Sequence, residues 1–196
     1  MSFNTEETDA LIETRRSTFP KDYTGEKVPD HIVKRMIENA TWAPTHKLTE
    51  PWRFMVFTGE GLQKLAKFQS ELYKKITTQD GTFREERYEN LRTKPMQSSH
   101  IIAVGMQRDK DKRVPEVEEL GAVFCAIQNM YLTAHAYGVG CYLSTGGVTY
   151  FPEAKSFFRL GEEDTLLGFM HVGMPKTKPG KTRRKPIDHI MKWVNS

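Results

Sequence analysis

Cysteine is scarce in this chain: Cys125 and Cys141 are the only two in 196 residues. Both fall in apolar stretches, and nothing around them has the spacing of a disulfide framework or of a low-pKa motif. They are expected to be free, buried thiols. Metal-ligand spacing is missing as well. The six histidines do not cluster with the cysteines and no His-Glu-x-x-His occurs, so no metal site is expected. Long hydrophobic runs are absent. The most apolar stretch, Gly121 to Leu143, is broken by Gln128, Asn129 and His135, whereas a membrane span needs roughly 20 nearly uninterrupted apolar residues. A buried helix is expected there, with no membrane partner. The opening residues MSFNTEETDA have neither the basic n-region nor the apolar core of a signal peptide, so a cytoplasmic protein is expected.

Several familiar motifs also fail. Gly138-Val139-Gly140 begins like a dinucleotide fingerprint, but Leu143 stands where the third glycine belongs, and the run follows a helix rather than a strand. Gly180-Lys181-Thr182 ends like a phosphate-binding P-loop, yet Pro175 occupies the place of its leading glycine. No Gly-x-Ser-x-Gly elbow is present. The net charge of +4 suits an anionic ligand and is too small to imply nucleic acid by itself.

What is there reads as one domain over residues 1–196. Hydrophobic residues at 38% and charged residues at 28% allow a packed core. A core this lean is easier to stabilise if apolar surface is also buried against a second subunit. Residues 6–15 read as a short helix. A second helix opens at Pro29-Asp30, with Asp30 able to cap it and Ile32, Val33, Met36, Ile37 and Ala40 at helical spacing. Phe54 to Phe57, Ile101 to Met106, Cys141 to Leu143 and Thr165 to Val172 read as strands, the first apolar enough for cover on both faces. Residues 59–90 are helical and then highly charged, where a lid or insertion would sit. Arg108 to Arg113 reads as a solvated loop, and Pro152 to Arg159 as a helix. The helix over 116–137 is apolar nearly all round, as suits a buried or interface helix. The mixed order of elements argues α+β, with a mostly antiparallel central sheet flanked by helices.

Four pieces remain, in order: Arg15-Arg16-Ser17, Ala43-Pro44-Thr45-His46-Lys47 running to Pro51-Trp52, Gly138-Val139-Gly140 through Gly146-Gly147, and Arg183-Arg184-Lys185-Pro186. The ordered set resembles the nitroreductase family, and Ala-Pro-Thr-His-Lys is similar to its compact bacterial branch. The resemblance covers nearly the whole chain and implies a domain-interlocked homodimer that binds FMN and takes electrons from NADH or NADPH. It implies that Arg15, Arg16, Ser17 and Arg184 hold phosphate and ribityl, where charge-assisted bonds contribute about 1.5–3 kcal/mol each. It places Leu143, Ser144, Thr145 and Gly146 along the flavin ring, with a backbone N–H near Gly146 toward N5. It makes His46 a contact from the partner subunit and sets Lys94 near the pyrimidine. Glu50 departs from the family's glutamine, and Trp42 is expected to be a core aromatic.

Plainer readings of these residues exist. Arg15-Arg16 also suits a helix C-terminus, the basic tail a solvated strip, and Gly146-Gly147 an ordinary strand exit. The expected activity is ping-pong electron transfer from NAD(P)H to a small electrophile such as a nitroaromatic or quinone. No side chain is required as a general acid, so none is named as catalytic. The in-class alternative is a flavoprotein acting on a non-nitro substrate, as an enone reductase or dehydrogenase. The out-of-class alternative is a basic-tailed module for nucleic acid or phosphate.

Overall fold

The computed structural model describes residues 3–177, 180 and 182–195. Lys178 and Lys181 of the basic tail lie outside the described residues. Helix α1, Thr5–Thr14, starts where Asn4 Oδ1 accepts the Glu7 N–H, and Glu6 and Glu7 place negative charge in its first turn. Helix α2, Asp30–Ala40, begins one residue earlier than a cap at Asp30 requires: Pro29 is the cap position and Asp30 the first helical residue. The Asp30 carboxylate faces Lys27 and His100 instead. Helices α3, Glu60–Gln79, and α4, Glu85–Thr93, occupy the stretch read as a charged lid.

The sheet is made of β1, Trp52–Thr58, β2, His100–Met106, β3, Gly140–Ser144, and β4, Thr165–Gly173. Its order is β1-β2-β4-β3, and each pairing is antiparallel. Strand β2 is buried at every position, and its alternating side chains serve two cores. Ile102, Val104 and Met106 meet α2 and the long helix α5, Glu116–Ala136; Ile101 and Ala103 meet α3 and the turns at Pro152–Phe158. The result is a three-layer α+β domain. Among the described residues no helix is long and apolar enough to cross a membrane.

Five local expectations need correction. Strand β1 is an edge strand rather than one covered on both faces, with Arg53 and Val56 exposed. Trp42 is 84% exposed rather than a core aromatic. Cys125 is free but exposed, on a side of α5 that this chain leaves bare, while Cys141 is buried. Residues 152–158 form 3-10 turns rather than an α-helix. The loop after β2 turns inward at its start: the Arg108 guanidinium pairs with the fully buried Glu119, and the Asp109 N–H donates to Glu119 Oε1 at 2.8 Å. A buried carboxylate without such partners would be strongly destabilising, which is why an acid is tolerated on the inner face of α5.

Candidate functional site

Strand β3 is the far edge of the sheet, and the chain leaving α1 runs beside it. The Thr18 N–H donates to Cys141 O at 2.9 Å, the Thr24 N–H to Met174 O at 2.8 Å, and the Tyr23 hydroxyl to His171 O at 3.1 Å. These bonds fix the bend that carries Arg15, Arg16 and Ser17 against β3, beside Cys141 and Leu143. Tyr131 of α5 fills the corner. Its hydroxyl accepts the Leu143 N–H at 2.7 Å, Ser17 stands beside it, and the Arg15 guanidinium lies 5.0 Å over its ring. Burial raises the Tyr131 pKa, with Ser17 and the Leu143 N–H pulling the other way. The hydroxyl therefore stays neutral, free to donate while it accepts from Leu143. Arg16 folds back on its own helix end, donating to Glu13 O and Arg15 O, and its Nε is buried without a partner among the described residues.

A cavity of about 610 Å³ opens past the end of β3, within the range of about 300–1,000 Å³ common for small-molecule sites. Ser144, Thr145, Gly146 and Gly147 form one rim, and Lys94 stands on the other. Gly147 has φ +69°, a backbone region that disfavours any side chain, and the Thr149 hydroxyl donates to Gly146 O at 2.9 Å to close the turn. Gly168 of β4 lets the strands converge here: a Cβ on it would stand 2.4 Å from Ser144 O. The wall is aromatic. Phe19 and Tyr142 have ring centroids 4.5 Å apart, and Tyr142 lies 6.2 Å from the ring of His171. His171 is held by Ser98 at 2.9 Å, and burial, then the charge of Lys94, lowers its pKa to about 4. It is neutral at physiological pH.

One chain brings Arg15, Ser17 and the Leu143 N–H to the Tyr131 corner beside β3, and Ser144, Thr145, Gly146 and Lys94 to the cavity past its end. His46 is elsewhere. It sits in a tight turn, His46–Leu48, against the start of α5, with its Nδ1 on the Glu118 carboxylate. Glu118 and Tyr131 are separated by about 20 Å of helix at about 1.5 Å per residue. The turn is strained, since Lys47, Leu48 and Glu50 all have positive φ. Arg184 lies in the exposed tail, and among the described residues its hydrogen bonds go to Thr182 and Arg183.

Tyr131, His171, Arg84 and Arg87 are the site residues that sequence reasoning missed. Tyr131 was absorbed into the apolar stripe of α5, and His171 into an apolar strand. Arg87 lies in the first turn of α4 and Arg84 is the extended residue just before it, and both line the cavity; no motif in the sequence marked them.

Comparison with known proteins agrees with this architecture. The nitroreductase family model matches residues 12–174. The Bacillus subtilis protein YfhC, which carries an NAD(P)H nitroreductase name, is 29% identical over 178 residues, 90% of this chain and 89% of its own. The crystal structure of a nitroreductase-like family protein from Bacillus cereus superposes with a TM-score of 0.82 at 26% identity, covering 100% of this chain and 99% of that one. A Desulfovibrio desulfuricans structure, described as a nitroreductase complexed with FMN, shares the fold with a TM-score of 0.68 at 23% identity, each chain covered fully. With a match spanning the domain from α1 to the end of β4, the chain belongs to the nitroreductase family.

Proposed function

We propose that this chain is an FMN-dependent oxidoreductase. It would draw on NADH or NADPH and deliver electrons to a small electrophile such as a nitroaromatic, a quinone or an enone. The observation that carries the reading is the meeting of a cationic, hydroxyl-bearing bend with a glycine turn at the end of one edge strand. Bound FMN supplies the hydride chemistry, which side chains alone lack.

The residues present fit such a group. Arg15, Arg16 and Ser17 would hold its phosphate and ribityl chain, and the unpartnered Nε of Arg16 is a donor still to be satisfied. Leu143, Ser144, Thr145 and Gly146 would hold the flat ring. The glycines there admit close approach to the backbone, and backbone N–H groups polarise what lies against them. Lys94 and the neutral His171 sit at the same mouth. With one shared site, donor and acceptor would bind in turn, giving ping-pong kinetics.

The functional unit is a homodimer in this reading. The bare side of α5 carries Val117, Gly121, Phe124, Cys125 and Gln128 at helical spacing, Leu48 stands exposed in the turn near its start, and Trp42 is exposed just past the end of α2. The tail adds Ile190, Trp193 and Val194, also exposed, and β1 is left with an unpaired edge. A second copy covers all of these, with His46 reaching the partner's site and Arg184 arriving on the tail. The test is flavin content. The purified protein should be yellow, and Arg15→Ala should weaken FMN binding by about 10-fold or more, as loss of a charge-assisted bond does. Unchanged retention would remove the phosphate assignment.

A further inference from the structure

We propose that Arg87, with Arg84 at the capping position just before α4, binds an anionic group on the electron acceptor, so that small aromatic carboxylates or sulfonates are the preferred acceptors. The proposal rests on the oxidoreductase reading of the same cavity. Lys21, Arg84, Arg87 and Lys94 line that cavity against one acid, Glu86. Among the described residues, no carboxylate lies within ion-pair distance of any of these four cations. The contrast on α4 is direct: Arg92, which faces away from the cavity, is paired with Glu89 at 3.3 Å. Unpaired like charges crowded at one mouth repel one another, and an incoming anion relieves that repulsion.

Position selects the kind of anion. A Cβ built on Gly146 would lie 3.4 Å from Arg87 Nη2, and one on Gly147 would lie 3.8 Å from it. The guanidinium therefore hangs over the glycine turn, within one ring's reach of the reacting end of an acceptor. The cofactor phosphate has its own cations in Arg15 and Arg16, which do not line this cavity. The 2′-phosphate of NADPH sits at the opposite end of the dinucleotide from the nicotinamide, too far out for a cation at the turn. Leu91, Tyr142 and Phe169 supply apolar surface for a flat ring between the turn and α4. A guanidinium fork meets a carboxylate in two parallel bonds, a geometry that a neutral hydroxymethyl group does not reproduce.

The experiment compares 4-nitrobenzoate with 4-nitrobenzyl alcohol, nearly equal in size and different in charge, using the FMN-loaded dimer and each donor. Wild-type, Arg87→Ala, Arg87→Lys and Arg87→Glu proteins are compared at matched flavin content, and benzoate binding is read separately by calorimetry. The ratio of kcat/KM for the anion to that for the alcohol should fall about 10-fold in Arg87→Ala, the lower part of the range for a charged hydrogen bond at an open cavity mouth. It should recover in part in Arg87→Lys and fall further in Arg87→Glu, with benzoate affinity moving in parallel. An unchanged ratio overturns the proposal. So does a change in the NADPH-to-NADH preference with the acceptor ratio fixed, which would assign the cation to the donor. If wild-type protein turns over neither acceptor, the oxidoreductase reading fails, and benzoate binding still decides whether Arg87 holds an anion.

Discussion

Replacing Tyr131 by phenylalanine removes one oxygen from the corner where three segments meet. The ring stays under Arg15, so that contact and the packing of α5 survive. The lost partner is the hydroxyl that accepts the Leu143 N–H at 2.7 Å and stands beside Ser17. Leu143 is half-buried and its N–H then has poor access to water, so the cost is about 1–2 kcal/mol, below the full penalty for a sealed donor. At about 2–4 °C per kcal/mol for a chain of this size, the melting point should drop by about 2–8 °C. Ser17 also loses the neighbour that orients it, and FMN affinity should fall by about 5-fold, equivalent to about 1 kcal/mol. Urea unfolding of flavin-free protein reads the first effect, and quenching of flavin fluorescence in a titration reads the second. Tyr131→Leu, which also removes the ring beneath Arg15, should be worse in both. If Tyr131→Phe melts and binds FMN like wild type, the hydroxyl does not hold the bend to β3.

Protonation of His171 should be felt as instability in acid. Its pKa is held near 4 in the fold against about 6.5 unfolded, so the unfolded chain binds more protons between those values. Stability should therefore fall as pH drops from about 6.5 to about 4, by up to about 3 kcal/mol from this group, and His171→Asn should flatten that part of the profile in urea melts. Two inactive variants should also complement. Co-refolding equal amounts of Arg15→Ala and His46→Ala should give about half mixed dimers, each with one intact site, and turnover near a quarter of wild type for independent sites. Activity at the mean of the two parents would mean that a single chain builds the whole site.

Much of the fold was legible because burial writes a period into sequence. Ile101 to Met106 is apolar without alternation since β2 is the strand with a core on each face. The spacing of Val33, Met36 and Ala40 marks the buried side of α2. Trp42 misled because a large aromatic ordinarily signals a core, and nothing in the local pattern separates one that is buried from one left exposed. Cys125 misled for the same reason. At the site, the glycine turn and Arg15 were visible as short local patterns. Tyr131 and His171 were not, because each is embedded in an apolar element whose pattern explains it fully; only the fold reveals that the hydroxyl meets Leu143 and that the imidazole meets Ser98. Arg108 and Arg113 show the limit of reading charge as solvation. Arg113 pairs with Asp109 at the surface, whereas Arg108 enters the protein to neutralise Glu119.

The separation along α5 is the physical argument for the proposed dimer. A helix is a rigid ruler, and it holds the His46–Glu118 pair about 20 Å from the Tyr131 corner at about 1.5 Å per residue. Repacking side chains does not close that gap. Placed antiparallel to its copy across the bare stripe, however, the same helix brings the start of one α5 beside the end of the other, because a two-fold axis through its middle exchanges the two ends. The stripe has the residues for such an approach: Gly121 lets backbones come close, Phe124 supplies apolar area, and Gln128 has hydrogen-bonding groups to match across the axis. In the proposed dimer Glu118 would have a purpose that a lone chain does not give it. By binding Nδ1 it fixes the imidazole ring, and among the described residues Nε2 has no hydrogen-bond partner. The strain stored at Lys47, Leu48 and Glu50 fits the same account, since a turn held in an unfavourable backbone region persists where its shape is used.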